Sequence, residues 1–272
     1  MRWDKKKILD EINFLEKKIG RMPVKRDNSN LYFLSRKYFG SWNNMMKEAG
    51  YNVKYKQKPK VPSLNSNELY YFLGLLCTDG HIQFDKKNKS YRVIIYTSNK
   101  NERVMIIKLI KELFDYNASI RLKNYGFSNR KSYEIYISSK KVCEFLNELG
   151  VPYGAKSFTI KIPMMIVNTK NNMVWHFIRG AFDGDGSIID TEYQKFFKIC
   201  SASKKFIDVF NKLLIEQGVN SACIRQEREN LWVLRINRKN DVKRLYPLIY
   251  NNSKNYFYPR KKRKWKTIDL KI

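Results

Sequence analysis

Acidic residues are scarce in this sequence. Its 272 residues include 25 Asp and Glu against 54 Lys and Arg, which gives a formal net charge of +29 at pH 7. A surface this basic is typical of a protein that binds nucleic acid. A codon bias toward Lys and Asn would add basic residues, but it would not remove acidic ones. The shortage of acids therefore favours a polyanionic partner.

Long apolar runs are also missing. No stretch reaches the roughly 20 residues that a membrane-spanning helix needs, and the basic residues are spread along the chain instead of lying on one amphipathic helix. Near the N-terminus, Asp4, Asp10 and Glu11 interrupt the lysines, which is not the pattern of a secretory or transit peptide. We therefore expect no membrane partner and a location in the cytoplasm or in an organellar matrix.

Histidine and cysteine are few and far apart. The two histidines are His81 and His176, and no two cysteines form a CxxC pair, so the sequence predicts no zinc site. The cysteines lie in apolar stretches, where we expect buried and reduced side chains. They are Cys77, Cys143, Cys200 and Cys223.

One apolar pattern that ends in an acid occurs twice. Residues 71–82 read YFLGLLCTDGHI and residues 177–188 read FIRGAFDGDGSI. In each copy an acid, Asp79 or Asp185, stands five residues after one glycine and directly before another. A single copy could be an ordinary helix end followed by glycine. Two copies at the spacing of a small domain indicate a shared function.

Each apolar run is predicted to be a helix. Asn65 followed by Glu68 is a capping pattern for the first run, and Asn171 and Asn172 precede the second. Glycine inside a helix costs about 1 kcal/mol relative to alanine, so the glycines at matching places, Gly74 and Gly180, indicate close packing of the two helices.

The acids then fall at helix C-termini, where the helix dipole disfavours negative charge. A bound Mg²⁺ would explain this position, because one or two carboxylates usually hold Mg²⁺ together with phosphate oxygens and water.

The elements that follow each acid are predicted to repeat. Two strands, a helix over 101–114, two more strands and a helix over 141–149 follow the first acid, and residues 95–114 align with 199–218 at an offset of 104. We predict an α+β fold of two αββαββα repeats related by a pseudo-twofold axis, with two antiparallel saddle-like sheets and the motif helices at the seam. The predicted segments are a helical module at 1–51, a basic linker at 52–64, and repeat halves at 65–168 and 169–272.

The first fifty residues show a separate helical pattern. Asp4 is predicted to cap the first helix, a second helix covers 31–39, and Ser41 caps a third. This stretch resembles the small repeat that is attached to homing endonucleases, through Pro23, Phe39, Gly40, Trp42 and Gly50. Its basic residues favour an auxiliary DNA-binding arm, and the basic linker at 52–64 is expected to track the phosphate backbone. The alternative is a helical cap packed on the main domain.

The paired motifs and the repeat resemble a single-chain LAGLIDADG homing endonuclease over roughly residues 66–265. The nine-residue motif reads FLGLLCTDG and IRGAFDGDG, with Cys77 at the earlier acid of the first copy, a position that does not bind metal in the family. The resemblance implies metal binding by Asp79 and Asp185, with Mg²⁺ or Mn²⁺ as the cofactor. It also implies catalytic roles for the polar and basic residues Lys156, Lys261, Asn99 and Ser203.

The resemblance implies a monomeric endonuclease that hydrolyses both strands of double-stranded DNA at a long target and leaves 3′ overhangs. A two-stranded ribbon fits the major groove, and alternation along the strands presents polar side chains on one face. DNA contacts are predicted at Gln83, Arg92, Tyr96, Arg121, Lys123, Lys131, Tyr136, Thr191, Lys198, Arg225, Glu227, Arg235 and Arg260.

Two other functions remain open. One is an intron maturase that binds RNA, and the other is a DNA-binding regulator without catalysis. Retention of both motif acids favours the nuclease. We do not expect an intein, because the sequence lacks a terminal splicing cysteine or serine and a closing His-Asn pair.

Overall fold

A computed structural model describes residues 3–53, 57–125, 130–169, 172–192, 194–220 and 222–269. The chain divides into two units, Met1–Gln57 and Lys58–Ile272. Within the described ranges, we find no helix with the length and apolar character needed to cross a membrane.

The first unit consists of helices α1 (Lys5–Ile19), α2 (Ser29–Phe39) and α3 (Trp42–Glu48). Asp4, Asn28 and Ser41 each accept a hydrogen bond from a backbone N–H in the first turn, which satisfies a donor that the helix leaves unpaired. The caps predicted at Asp4 and Ser41 are therefore present. The helices enclose a small core of Ile8, Ile12, Leu31, Leu34, Phe39, Trp42, Met45 and Met46.

The second unit contains the two predicted repeats. The first comprises α4 (Asn67–Asp79), β1 (Gly80–Asp85), β2 (Ser90–Thr97), α5 (Lys100–Phe114), β3 (Ser119–Tyr125), β4 (Arg130–Ile137) and α6 (Lys140–Glu148), and the short α7 (Met164–Val167) follows. The second comprises α8 (Val174–Asp185), β5 (Gly186–Asp190), β6 (Lys195–Ser201), α9 (Lys204–Glu216), β7 (Ala222–Arg228), β8 (Leu231–Ile236) and α10 (Lys239–Tyr250), and α11 (Pro259–Asp269) follows. The sheets have the same antiparallel order, β1-β2-β4-β3 and β5-β6-β8-β7. The predicted α+β fold is confirmed.

The motif helices α4 and α8 form the seam between the repeats. A Cβ atom added to Gly74 would lie 2.3 Å from the carbonyl oxygen of Phe177, and one added to Gly180 would lie 2.1 Å from that of Tyr71. Real Cβ atoms essentially never come this close to another heavy atom. The two backbones are therefore in direct contact, as the matching glycines predicted.

The starts of the two motif helices differ from the prediction. Ser66, not Asn65, caps α4, and its Oγ accepts a hydrogen bond from the Leu69 N–H at 3.2 Å. Glu68 then lies one position too early for a capping box, and its carboxylate instead accepts the Ser66 hydroxyl at 3.0 Å. Helix α8 begins without a side-chain cap after Met173. At that end Asn172 contributes only its backbone carbonyl, and Asn171 lies outside the described residues.

The basic segment after α10 is partly buried. Residues from Pro259 onward form helix α11, and Trp265 is 1% exposed. Its indole packs against the rings of Phe182, Phe197, Tyr246 and Tyr250. Seven basic residues between Lys254 and Lys266 are thus interspersed with aromatic residues that anchor the segment in the core.

The prediction for the cysteines was right for two of the four. Cys77 and Cys143 are buried, Cys200 is half-buried and Cys223 is exposed. Cys223 pairs with Arg235 across β7 and β8, so strand alternation places it on the polar side of the second sheet.

Candidate active site and DNA-facing surface

The two motif acids end their helices at the seam. Asp79 is the last residue of α4 and Asp185 is the last residue of α8. A Cβ atom on Gly184 would lie 3.4 Å from Asp79 Cγ, so the first carboxyl lies against the end of the other helix. Burial and then the charge of Asp185 raise the pKa of Asp79 to about 7, against the opposing effect of Lys261 and Arg260. Burial also raises the pKa of Asp185, although its side chain reaches the surface.

A buried lysine accompanies each acid at the equivalent place in its repeat. Lys156 Nζ donates to the last two carbonyl groups before Asp79, at 2.6 and 2.9 Å. Lys261 Nζ donates to the carbonyl oxygens of Gly184, at 3.5 Å, and Gly186. A cation at a helix C-terminus offsets the partial negative charge there. Burial lowers the pKa of both lysines, and the nearby acids oppose that shift.

The donor set at the seam fits a hard divalent cation. Within the described part of the chain, no group of three or more His, Cys, Asp or Glu side chains converges. The site therefore offers two carboxylates, with water and phosphate oxygens to complete the coordination, which is how Mg²⁺ is usually held. A cation between Asp79 and Asp185 would also remove the repulsion that helps to raise the pKa of Asp79.

An open cavity of about 860 Å³ lies beside the first acid. It joins the end of α4 to the first sheet and to the start of α11. Arg260, predicted as a DNA contact, belongs to its wall. The lining residues are Thr78, Asp79, Gly80, His81, Gln83, Tyr96, Thr97, Ser98, Lys131, Ser132, Gly154, Ala155, Lys156, Ser157, Gly184 and Arg260.

Asn99 and Ser203, which the resemblance gave catalytic roles, are both helix caps in the structure. Asn99 caps α5, and its Oδ1 accepts hydrogen bonds from two backbone N–H groups of the first turn. Ser203 caps α9, is 2% exposed, and donates its hydroxyl proton to the carbonyl oxygen of Ile160 at 2.8 Å. Neither residue belongs to the cavity lining. The sequence pattern located these residues but could not distinguish a helix cap from a catalytic residue.

The polar face of the first sheet carries most of its predicted DNA contacts. Gln83 pairs with Arg92 across β1 and β2, which places both side chains on one face. The guanidinium groups of Arg92 and Arg121 lie 5.3 and 5.7 Å from the ring centre of Tyr136. Lys123 lies over the ring of Tyr96 at 5.9 Å. These contacts organise the basic side chains before any ligand is present.

One acid on this face was not predicted. Glu134 is 1% exposed, and Lys123 and Arg121 lie 2.5 and 3.7 Å from its carboxylate. The alternation of residues from Tyr133 to Ile137 was the sequence feature that could have placed Glu134 on this face. Alternation along β4 places Lys131 on the opposite face of the sheet from Tyr136. Lys131 lies near the start of the strand, however, and there it lines the cavity.

The second sheet has its own acid among basic residues. Glu227, predicted as a base contact, bonds to Arg235 and lies 3.3 Å from Arg225 and 3.9 Å from Lys198. Thr191 lies in the turn after β5, where its hydroxyl accepts the Gln194 N–H at 3.0 Å. Each sheet thus presents a cluster of basic side chains held by one central carboxylate.

Family models match both units of the chain. A model described as the LAGLIDADG-like domain matches residues 66–150 and 172–250, which together exceed half of the chain. The chain belongs to the LAGLIDADG family. A second model, the homing endonuclease associated repeat, matches residues 3–52.

Curated relatives of this LAGLIDADG protein are distant in sequence. The DNA-directed RNA polymerase subunit Rpo1C of Methanocaldococcus jannaschii is 27% identical over 191 residues, which cover 67% of this chain and 20% of that protein. The probable cell division protein WhiA of Clostridium acetobutylicum is 27% identical over 169 residues, which cover 60% of this chain and 52% of that one. The matched region therefore spans between about a fifth and a half of the length of these relatives.

Solved structures share the LAGLIDADG fold. The homing endonuclease I-WcaI bound to its DNA recognition sequence has a TM-score of 0.55 and 17% identity, covering 76% of this chain and 88% of that chain. Mesophilic variants of the homing endonuclease I-DmoI have a TM-score of 0.54 and 20% identity, covering 74% and 97%. I-DmoI in complex with DNA and Ca has a TM-score of 0.53 and 20% identity, covering 75% and 97%. At these identities the likeness establishes the fold.

The earlier acid of the second LAGLIDADG motif is buried rather than available at the surface. Asp183 is 0% exposed and accepts hydrogen bonds from the Tyr71 hydroxyl and from the Tyr258 N–H, both at 2.8 Å. Burial raises its pKa to about 7. Asp183 therefore joins the seam to the segment that leads into α11, and its counterpart in the first motif is Cys77.

Proposed function

We propose that this protein is a site-specific double-stranded DNA endonuclease that uses Mg²⁺ or Mn²⁺. The observation that carries the proposal is the pair of motif acids at touching helix ends, each accompanied by a buried lysine. The structural neighbours support it, because I-WcaI was solved on its DNA recognition sequence and I-DmoI with DNA and Ca.

Phosphodiester hydrolysis needs an activated water, neutralisation of phosphate charge and stabilisation of the leaving oxygen. A bound divalent metal supplies these kinds of assistance, and Asp79 and Asp185 would hold it. Lys156 and Lys261 would donate to oxygens on which negative charge develops. Their present acceptors, carbonyl groups at the helix ends, keep both ammonium groups beside the acids.

The two basic sheet faces would bind the duplex on either side of the seam. Antiparallel ribbons fit the major groove, where side chains reach base edges, and two related sheets match a long target with two half-sites. The contacts proposed from sequence lie on or beside these faces, with Arg260 at the first cavity. Cleavage across the minor groove with 3′ overhangs completes the proposal, and the helical module of residues 3–52 would add DNA contacts outside the two repeats.

The deciding experiment is cleavage of a randomised duplex library followed by sequencing of the ends. With Mg²⁺ we expect discrete cuts with 3′ overhangs at one long site. Reactions with Ca²⁺ or with EDTA are the controls. Tight binding without any cutting in Mg²⁺ or Mn²⁺ would contradict the proposal.

A second candidate is a DNA-binding regulator without catalysis. The match to WhiA, a protein named for cell division rather than for cleavage, favours it. In that case Asp79 and Asp185 would serve only at the helix ends, and binding would be indifferent to the metal that is added. The same library experiment separates the two functions, because a regulator enriches a sequence without cutting it.

A further inference from the structure

The two repeats differ in the side chains that surround their acids. Glu102 in the first repeat aligns with Phe206 in the second, at the offset of 104. Directly before the two buried lysines, Arg260 in the second repeat corresponds to Ala155 in the first. Glu102 and Arg260 meet each other, although 158 positions separate them. The seam therefore has an acid–arginine pair that its pseudo-symmetry does not duplicate at these positions.

Glu102 is held rigidly under the cavity. Its side chain is 1% exposed, and one carboxylate oxygen accepts the hydroxyl of Thr97 at 2.7 Å. The other oxygen accepts Arg260 Nε at 2.6 Å. The Thr97 hydroxyl is fixed in turn, because it accepts the Asn99 N–H at 3.1 Å. A buried carboxylate is stable only when it is paired in this way, so Glu102 fixes the orientation of Arg260.

Arg260 is bound through Nε, and its guanidinium lies 5.5 Å from the ring centre of Tyr258. Its side chain is 48% exposed and lines the cavity together with Asp79 and Lys156. Among the described residues, its only hydrogen bond is the one from Nε. The two Nη groups of such an arginine form a planar fork that suits two oxygens of one phosphate. The charge of Arg260 also lowers the pKa of Asp79, whereas only Lys156 and Lys261 have that effect on Asp185.

We propose that Arg260, positioned by Glu102, contacts the scissile phosphate of one strand only, so that the two strands are cut at unequal rates through a nicked intermediate. The inference rests on the proposed endonuclease function. In each cut a water oxygen bonds to phosphorus as a bridging P–O bond breaks. Arg260 donates to the non-bridging oxygens of one of the two phosphates, where negative charge develops.

The test follows each strand separately. The full-length protein is mixed with Mg²⁺ and a duplex of the site recovered from the library, with a different label on each strand. Arg260→Ala should slow one strand by about 10²-fold, the size of effect seen when a single donor to such charge is lost. We expect the other strand to slow by less than about threefold, on the scale of a small change in binding. Nicked duplex should then accumulate.

Two conservative variants test the positioning role of Glu102. Glu102→Gln removes the charge that holds Arg260 and should slow the same strand by about tenfold, with DNA affinity changed by less than about threefold. Arg260→Lys keeps the positive charge but loses the fork, so the rate should lie between wild type and Arg260→Ala. The matched control is Arg244→Ala, which removes one exposed arginine from α10 that bonds to the Gly218 carbonyl. It should leave the ratio of the two strand rates unchanged.

Three outcomes would overturn the inference. They are equal slowing of both strands by Arg260→Ala, an effect on binding alone, or opposite strands affected by Arg260→Ala and Glu102→Gln. A wild-type protein that cuts neither strand would instead remove the proposed function itself. If Glu102→Gln fails to fold in a thermal melt, Thr97→Val replaces it, because Thr97→Val removes the hydroxyl that holds the carboxylate and should slow the same strand.

Discussion

At the scale of single residues, the motif acids carry the strongest functional expectation. Asp79→Asn or Asp185→Asn should reduce double-strand cleavage by about 10²-fold or more, because an amide is a poor ligand for Mg²⁺ in place of a carboxylate. DNA affinity measured in Ca²⁺ should stay within about tenfold, since phosphate contacts elsewhere dominate binding. The measurements are a plasmid cleavage assay and fluorescence anisotropy on a labelled duplex.

Asp208→Asn is the matched control, because Asp208 is a surface acid of α9 that pairs with Lys204. It should leave cleavage unchanged. Full activity in both Asp79→Asn and Asp185→Asn would refute the assignment of these acids to the metal.

His176 gives a pH dependence of stability with a defined sign. It is 5% exposed, and burial and then the charge of Arg179 lower its pKa from 6.5 to about 4. Between these two values the unfolded chain binds a proton that the folded chain does not, so the free energy of unfolding falls as the pH is lowered through this window. The loss approaches about 3 kcal/mol at pH 4. Above pH 6.5 this effect is absent.

His176→Gln should remove this part of the slope while keeping an acceptor for the Arg179 guanidinium, which lies 2.8 Å from His176 Nδ1. Urea unfolding at pH 4.5 and pH 7 measures the difference. An unchanged difference between the two pH values would contradict the lowered pKa, because it would show that His176 binds its proton equally well in the folded and the unfolded chain.

Single residues were predictable only where the repeat displayed them twice. Asp79 and Asp185 could be identified because they stand at the same place in two copies of one motif. Glu134 and Glu102 could not, because their partners depend on strand register and on a contact between distant segments. The helix-capping role of Ser203 could not be predicted either, because a polar residue at a matching place is compatible with a helix cap as well as with a catalytic residue.

At the scale of elements, the seam helices depend on their glycines. Gly74→Ala or Gly180→Ala should lower the free energy of unfolding by about 3 kcal/mol or more, because the new methyl group would lie within 2.3 Å of the opposing backbone. Backbone cannot move aside as a flexible side chain can. Urea denaturation measures the change.

Lys108→Ala, at an exposed site of α5, is the control for the better helix propensity of alanine and should change stability by less than about 0.5 kcal/mol. If Gly74→Ala or Gly180→Ala were as stable as this control, the prediction would be contradicted, because α4 and α8 could then move apart without a loss in the free energy of unfolding.

Elements were predictable where one physical signal was dominant. Caps and apolar spacing gave the helices of the first unit, and alternation gave the strands. The outer ends of β3 and β4 were not predictable in this way, because these strands continue to Tyr125 and from Arg130 into a polar stretch with the composition of a loop. Helix α11 was not predicted, because its many basic residues indicated an exposed segment, whereas its Trp265 is buried.

At the scale of the whole molecule, charge predicts a steep dependence of DNA binding on salt. Each phosphate contact contributes a slope of about −0.9 to the plot of log affinity against log salt, and six to ten contacts lower affinity by about 10³ to 10⁵-fold between 50 and 200 mM. With a net charge of +29 and basic clusters on both sheets, we expect a loss within this range. Anisotropy titrations at several salt concentrations measure it.

Arg225→Ala removes one exposed basic side chain from the second sheet. It should reduce the magnitude of the slope of log affinity against log salt by about 0.9, the contribution of one phosphate contact. A flat titration would show that the basic faces do not track phosphates.

The contact between α4 and α8 also has a geometric consequence. The two acids end helices whose backbones touch at Gly74 and Gly180, so the distance between the backbones of the two acids is fixed by the packing of the helices. For the proposed nuclease, the distance between the cuts on the two strands is then fixed by the packing of α4 against α8. Target preference is carried separately, by exchangeable side chains on the sheets. Evolution or redesign can replace those side chains to recognise a new DNA sequence without changing the distance between the two cuts.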